Sequence, residues 1–373
     1  MAPPRTPRRR TRRTRRTGAR LVLAAAVVLA SVVQGGPAGA SPAKTRAAAG
    51  VGCGTNVGRV PLDTTLNPST GRYELNDPRR GNHKTYDMQN GTGGTGTVVT
   101  DDDNNWCEGG RQSDAVAAHY IHAVFWDYLL EVHGRKGVRG DGKGGCSRVH
   151  YGRDYLNAFY ESASNCVTYG DGTSNPARPL IRIEVGAHEM THGVTAATAG
   201  LGFSGEPGGL NEATSDVVAA AVEFRAANTV DPGDYLFGER LDGTAGPALR
   251  HMDRPSRDGQ SKDHWYAGIG QLPPAYSAGP ANHFFYLLAE GSGPKVVNGV
   301  SYDSPTYDGK PVSGIGRAAA ERIWYRALTL YMTSTSTYRS ARTATLAAAA
   351  GLYGTDSVEH RAVGAAWAAV NVT

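Results

Sequence analysis

The chain has 373 residues, a formal net charge of +5 and a charged fraction of 20%. The positive sign comes from residues 1–40, which hold nine arginines and no acidic residue, while the remainder carries 30 basic and 34 acidic residues. The charge therefore gives no reason to expect a nucleic-acid partner, and the 333 residues after position 40 suit one or two domains with a sizeable core.

Residues 1–40 have the pattern of a secretory signal peptide. An arginine-rich stretch is followed by an apolar run of thirteen residues, Leu21 to Val33, and then by Ala38-Gly39-Ala40. This is the order of a basic region, an apolar region and a small-residue cleavage site, and the apolar run is too short to cross a bilayer. We expect cleavage near Ala40, an extracellular location and no membrane association afterwards.

The four cysteines, Cys53, Cys107, Cys146 and Cys166, form an even set in a chain with an export signal. Two disulfides are expected, and three pairings are possible. We favour 53–107 with 146–166, since each closes a loop of moderate size. No CxxC spacing exists, so a cysteine metal site is not expected.

The elements predicted along the chain change from strands to helices. Residues 41–110 are rich in turn formers and short β-type runs, so strands are expected there. A helix over 113–133, capped by Ser113 or Asp114, carries His119 and His122, which we interpret as packed or solvated. Alternating aromatic and polar residues over 148–169 predict a hairpin.

The second half is predicted to be mainly helical. Residues 228–281 look like loop, and helices are expected over 183–199, 211–227, 282–291, 315–332, 337–353 and 357–369. This order indicates an α+β protein with two lobes. We place a β-rich N-terminal lobe at 41–198, ending in the helix over 183–199 at the floor of a cleft, and an α-helical lobe at 199–373.

The helix over 183–199 carries the strongest chemical signal. His188 and His192 are four residues apart, so they lie on one helical face and can bind one metal ion, and Glu189 lies beside them. This HExxH pattern indicates a zinc site with the glutamate as general base. Glu212 is the natural third ligand, and Asp216 is spaced to orient a ligand histidine.

The chain resembles the thermolysin-like zinc metalloendopeptidases of the gluzincin type over essentially everything after residue 55. The segments that carry the resemblance are HEMTHGVT (188–195), GGLNEATSD (208–216), VPLDTT (60–65), RGNHKTYDM (80–88), YLNAFY (155–160), YGDG (169–172), NHFFYLLAEG (282–291) and IGRAAAERIWYRALT (315–329). Members of that family are usually made with a long pro-segment, and we expect this chain to fold without one or to be an atypical member.

The resemblance implies a monomeric, secreted enzyme that hydrolyses peptides or proteins with one zinc ion. Asn211 joins Asp216 in supporting the ligands, Asn157 and Ala158 match edge-strand positions that bind the substrate backbone, and Arg250 matches the arginine that binds the carbonyl beside the cleaved bond. Val185 and Leu249 match parts of an apolar pocket, so cleavage on the N-terminal side of bulky hydrophobic residues is expected.

The resemblance also implies structural calcium. Glu184, Glu223, Asp231 and Glu239 match the family's calcium-binding carboxylates, and calcium requires several oxygen ligands. The alternative is a set of solvated surface acids.

Two departures from the family pattern put turnover in doubt. Phe203 stands at the position of the catalytic tyrosine and Ala275 at that of the catalytic histidine, both of which donate hydrogen bonds to the oxyanion in the family. Losing one such donor typically costs a factor of about 100 to 1,000. Tyr276, His251 and His264 are candidate substitutes. The alternative to an impaired enzyme is an inactive zinc-bound pseudoprotease that acts as a binding module.

Overall fold

The structure is a computed structural model that describes residues 44–172, 179–239 and 248–373. The predicted signal peptide, 1–40, lies outside the described residues. The described residues belong to one unit, which spans Ala43–Thr373. No described helix is both long and apolar enough to cross a bilayer.

The first part of the chain is rich in strands, as expected. The strands are β1 Arg46–Gly54, β2 Gly58–Asn67, β3 Arg72–Glu74, β4 Asn76–Asp77, β5 His83–Asp87, β6 Thr97–Val98, β7 Thr100–Asp101, β8 Asn105–Trp106, β9 Cys146–Tyr151, β10 Ala158–Glu161, β11 Cys166–Gly170, β12 Leu236–Phe237, β13 Arg250–His251, β14 Gly293–Val297 and β15 Val300–Ser304. One sheet has the order β7-β3-β2-β1-β8. The second has the order β10-β11-β9-β5-β4, so β10 lies at its edge.

The hairpin predicted over 148–169 is correct only in its second half. Strands β10 and β11 are antiparallel, but β9 pairs parallel to β11, with Cys146 opposite Cys166. The reason is that β10 takes the outer position, so β11 returns between it and β9. The opposed cysteines form one disulfide, and Cys53–Cys107 forms the other, so the favoured pairing is confirmed.

The helices lie close to their predicted positions. They are α1 Arg111–His133, α2 Ile183–Ala196, α3 Gly205–Ala226, α4 Pro274–Ser277, α5 Gly279–Glu290, α6 Arg317–Leu330, α7 Tyr338–Tyr353 and α8 Val358–Ala368. Helix α1 begins before the predicted caps, and Asp114 lies in its first turn. The stretch 228–281, expected to be mostly loop, contains β12, β13, α4 and two 3-10 turns, Pro255–Asp258 and Ile269–Gln271.

Helix α3 begins six residues before its predicted start. Its first turns read Gly-Glu-Pro-Gly-Gly, a composition that normally indicates a loop. Proline is tolerated in a first turn because its missing N–H has no intrahelical acceptor there. A Cβ at Gly209 would lie 2.6 Å from the Ser277 hydroxyl, so close packing against α4 requires the glycine.

The helical part is organised around α5, which is buried all round. Phe284, Phe285 and Tyr286 are completely buried, and Phe284 stacks on Trp367 of α8 at 3.8 Å between ring centroids. Each such side chain contributes roughly 1.5–3 kcal/mol by leaving water. The α+β class is thus confirmed, with the two larger sheets before α2 and most of the helices after it. The lobe boundary at 198/199 stays a prediction.

The histidines of α1 are packed rather than solvated. His119 and His122 are buried, and the His122 ring stacks on that of His83 with centroids 3.4 Å apart. Burial lowers the pKa of all three imidazoles, and that of His122 falls to about 3. We call His83, His119 and His122 the histidine cluster.

Helix α2 packs closely on tyrosine side chains of the sheet at two glycines. A Cβ at Gly193 would be 2.5 Å from the Tyr160 ring of β10, and one at Gly186 would be 2.4 Å from the Tyr169 hydroxyl of β11. Gly193 therefore allows the helix to approach the edge strand β10, and Gly186 allows it to approach the neighbouring strand β11. This contact places Glu189 beside β10.

Candidate active site and metal centre

Helices α2 and α3 bring the three predicted ligands together. The Nε2 atoms of His188 and His192 are 3.2 Å apart, and each lies 3.6 Å from a carboxylate oxygen of Glu212. The i, i+4 spacing on α2 sets the first distance, and the antiparallel packing of α3 supplies the carboxylate from another element. Among the described residues, one donor atom from each can surround a single ion.

The hydrogen bonds of the imidazoles show that this group suits a cation. Nδ1 of His188 lies 2.8 Å from Asp216 Oδ1, and a carboxylate only accepts, so Nδ1 carries the hydrogen. Nδ1 of His192 lies 2.9 Å from Asn211 Oδ1, whose amide nitrogen donates to the Leu201 carbonyl. With both Nδ1 atoms engaged in this way, Nε2 of each ring faces Glu212 and is the atom that would bind a cation.

A charged network supports the His188 side of the centre. Asp216 accepts from His188 and also from Arg250, whose Nε and Nη2 donate at 2.7 and 2.6 Å. Asn282 Nδ2, a contact that the sequence did not predict, adds a fourth bond at 2.8 Å. Although burial opposes ionisation, Arg250 and His188 hold the pKa of Asp216 well below its usual range.

Glu189 lies beside the three candidate ligands and is not part of the group that could hold an ion. Burial raises the pKa of its carboxyl to about 7, with His188, Arg250 and the backbone N–H of Tyr160 opposing that rise. The carboxylate is therefore held between the metal centre and the edge strand. A group in that position can take a proton from a molecule at the centre and return it.

The predicted substrate-binding residues lie where a peptide could pair with the sheet. Ala158 begins β10 and pairs with Tyr169, while the Asn157 carbonyl accepts from Gly170 N at 3.0 Å. Strand β10 has no partner on its outer side among the described strands. Val185 is buried in α2, and Leu249 is 52% exposed beside Arg250. Their roles in substrate binding stay predictions.

Phe203 borders the centre, and its ring offers no donor. It is 69% exposed, and its centroid lies 6.0 Å from that of the His192 imidazole. Ala275 lies on α4, which packs on the start of α3.

The three candidate substitutes have other neighbours. The Tyr276 hydroxyl accepts from Gln260 Nε2 at 2.8 Å, and the His264 ring packs on Tyr307. The pKa of His251 is lowered by burial, and the charges that act on it belong to Asp253, Arg257 and Asp258. No described contact brings any of the three to the metal ligands.

A second group of carboxylates lies at the start of α2. Glu184, Glu223 and Asp231 are buried, with oxygens within 4.8 Å of one another. Both Glu184 oxygens are buried without a hydrogen-bond partner in the described structure. Burial and mutual repulsion raise the pKa of Glu184 and Glu223 well above normal and that of Glu239 to about 8. This geometry suits a calcium ion. Because the carboxylates are buried, the alternative interpretation as solvated surface acids is wrong for these residues.

Two further residues join this acidic group without having been predicted. Arg182 donates from Nη1 to Asp231 Oδ1 at 3.2 Å, and the backbone N–H of Asp234 donates to Glu223. Glu239 lies outside the group of three, but its charge acts on Glu184. The sequence offers one signal for Arg182, its position two residues before Glu184. That position does not show whether its guanidinium is buried with the carboxylates or exposed to solvent.

Comparison with protein families covers nearly the whole described chain. Residues 49–196 match the family model described as thermolysin metallopeptidase, catalytic domain, and residues 199–372 match the one described as thermolysin metallopeptidase, alpha-helical domain.

Individual relatives agree. The chain is 54% identical over 327 residues to a transglutaminase-activating metalloprotease of Streptomyces mobaraensis, covering 87% of this chain and 42% of that protein. It is 38% identical to a thermostable neutral protease of Geobacillus stearothermophilus, covering 90% of this chain and 59% of that protein. The chain thus spans about half the length of these curated relatives. The solved precursor of protealysin from Serratia proteamaculans has a TM-score of 0.59 and 25% identity over 78% of this chain and 87% of that one.

Proposed function

Because the chain belongs to the thermolysin metallopeptidase family, we propose that it is a secreted zinc endopeptidase. It hydrolyses peptide bonds on the N-terminal side of bulky hydrophobic residues, with turnover reduced by Phe203 and Ala275. The observation that carries the proposal is the pair of imidazole Nε2 atoms 3.2 Å apart, both facing Glu212. The outer side of the edge strand β10, which pairs with no described strand, supports binding of a peptide, and the pocket residues Val185 and Leu249 support the preference for a bulky hydrophobic residue.

His188, His192 and Glu212 hold the zinc, which when bound supplies Lewis acidity to activate water and polarise a carbonyl. Glu189 takes a proton at its carboxylate and delivers it to the leaving nitrogen. Arg250 has its Nε and Nη2 committed to Asp216, which leaves Nη1 to donate to a substrate carbonyl. Asn157 and β10 align the substrate backbone by strand addition.

Glu184, Glu223, Asp231 and Glu239 bind calcium in this proposal. A divalent ion between buried carboxylates replaces their repulsion by attraction. Because Glu184 is only four residues before His188 on α2, this ion also stabilises the helix that carries two zinc ligands.

The second candidate function is an inactive pseudoprotease that binds peptides. Phe203 favours it, since an exposed aromatic ring replaces a donor beside His192. Glu189 and the Arg250–Asp216 pair favour the enzyme, because a pure binding module has no use for a buried base.

The test is cleavage of a peptide with leucine after the scissile bond, measured with zinc-loaded protein and with Glu189→Gln at high enzyme concentration. The proposal expects cleavage by the parent protein, at least about a hundredfold less by Glu189→Gln, and none after chelation. Glu189→Gln retains all three ligands, so its zinc content is measured alongside. No cleavage by the parent protein above the Glu189→Gln and chelator controls would remove the enzymatic proposal and leave the pseudoprotease. Equal cleavage by parent and variant that chelator abolishes would show that Glu189 is not the base.

A further inference from the structure

Phe237 contacts both a zinc ligand and the substrate-binding arginine. It lies on β12 directly opposite Arg250 of β13 in the strand register. The Arg250 Cζ atom lies 4.0 Å from the centre of its ring, and the centroid of the His188 imidazole lies 4.8 Å from the same centre. The Phe237 side chain is only 8% exposed.

These contacts form a closed cycle of four side chains. Phe237 contacts Arg250, Arg250 donates twice to Asp216, Asp216 accepts from His188, and His188 contacts Phe237. The two bonds to Asp216 fix the edge of the guanidinium, but they leave its plane free to tilt about that edge. An aromatic face against the guanidinium opposes this tilt through the cation–π attraction.

We infer that Phe237 is a positioning residue, which holds the Arg250 guanidinium and the His188 imidazole in the orientations that the centre uses. The inference rests on the proposed function where it concerns substrate, since Arg250 is there assigned to the substrate carbonyl. Its importance follows from Phe203 and Ala275, because Arg250 is then the remaining side chain assigned to stabilise charge on the substrate. An aliphatic residue of similar volume fills the space without the attraction for the guanidinium.

A second arginine–phenylalanine stack provides a matched control. The Arg317 Cζ atom lies 3.4 Å from the centre of the Phe224 ring, whose other aromatic neighbour is Tyr235. No described contact joins Phe224 to a zinc ligand. Replacing Phe224 therefore removes the same kind of stack and leaves the centre untouched.

The experiment compares Phe237→Leu and Phe224→Leu, with Phe237→Tyr as the conservative variant that keeps the aromatic face. The first measurement is the visible absorption spectrum of the cobalt(II)-substituted protein, which reports ligand geometry at the centre without turnover. The second is the Kd of a hydroxamate-capped leucyl dipeptide, which chelates the metal and offers a carbonyl to Arg250. The third is the separation of kcat from KM on the peptide with leucine after the scissile bond.

We expect Phe237→Leu to shift the cobalt bands and to raise the Kd roughly 3- to 30-fold, the range of a partly desolvated cation–π contact. Phe224→Leu leaves both unchanged, and Phe237→Tyr stays close to the parent protein. Should Phe237→Leu fail to fold, Phe237→Met carries the same comparison.

The inference is overturned if Phe237→Leu and Phe224→Leu give the same cobalt spectrum and the same Kd as the parent protein. Absence of peptide cleavage in every variant, together with the expected spectral and Kd changes, would refute the proposed activity and support the positioning role. Peptide cleavage together with an unchanged Kd in Phe237→Leu would support the proposed activity and refute the positioning role.

Discussion

The histidine cluster predicts that acid destabilises the protein through His122. This imidazole is 2% exposed, its Nδ1 is buried without a hydrogen-bond partner in the described structure, and His83, His119 and Arg80 face it with positive or protonatable groups. Burial, with the charges of His119 and Arg80, lowers its pKa to about 3, whereas the unfolded chain has the ordinary value of 6.5. The unfolded state therefore binds more protons over the window between the two values.

The sign and size follow from linkage. Because the pKa of His122 is lower in the folded protein than in the unfolded chain, acid costs stability. The free energy of unfolding is unaffected by this group above about pH 6.5 and decreases as the pH falls toward 3. At pH 5, protonation of one ordinary imidazole stabilises the unfolded chain by about 2 kcal/mol. The variant His122→Phe keeps an aromatic ring against His83 and removes the proton uptake. Between pH 8 and pH 5 we expect it to lose about 2 kcal/mol less unfolding free energy than the parent protein.

The assay is urea unfolding followed by circular dichroism at pH 8 and pH 5, with chelator present and the disulfides intact. The value at pH 8 measures any change of packing in His122→Phe, so the difference between the two pH values isolates protonation. Equal losses in parent and variant, within about 0.5 kcal/mol, would show that His122 is charged in the folded protein or changes charge equally in both states.

Three other predictions concern the two metal sites and the missing donors. Glu212→Ala removes the carboxylate ligand, and chelator competition is expected to show zinc affinity lower by at least about tenfold; unchanged affinity would remove Glu212 from the centre. The double variant Phe203→Tyr with Ala275→His restores two donors and is expected to raise kcat about a hundredfold or more, with Phe203→Leu as control; an unchanged kcat would show that these positions do not face the oxyanion. Calcium at a hundredfold above its Kd is expected to add about 2.7 kcal/mol to the free energy of unfolding. In calorimetry, Glu184→Gln is expected to reduce this calcium-dependent stabilisation and to raise the Tm in EGTA, because it removes one of the repelling carboxylates. A Tm of the parent protein that does not change with EGTA would refute the calcium site.

The sequence was sufficient wherever the determining contacts are local. His188 and His192 share a face because a helix repeats every 3.6 residues, and the motif fixes Glu189 beside them without knowledge of the remaining fold. Glu212 and Asp216 required the resemblance as well, since their distance from His188 depends on how α3 packs on α2. The helices with clear apolar spacing were placed correctly for the same local reason.

What failed or was missed depends on contacts between distant segments. The start of α3 reads as loop because its glycines are required by α4, 66 residues or more along the chain. The parallel pairing of β9 with β11 depends on which strand takes the edge, and alternation of residue types is the same in either arrangement.

The two charged sites also contain some residues that the sequence predicts and others that only the packing reveals. The sequence by itself predicted His188 and His192 as ligands, Glu189 as the base and two disulfides, because motif spacing and an even cysteine count are properties of the chain. Only the tertiary structure decided that Arg182 lies within the acidic group and that Phe237 lies between Arg250 and His188. An arginine or a phenylalanine has no characteristic spacing to its partner, so burial and contact acquire meaning for these residues only when separate elements pack together.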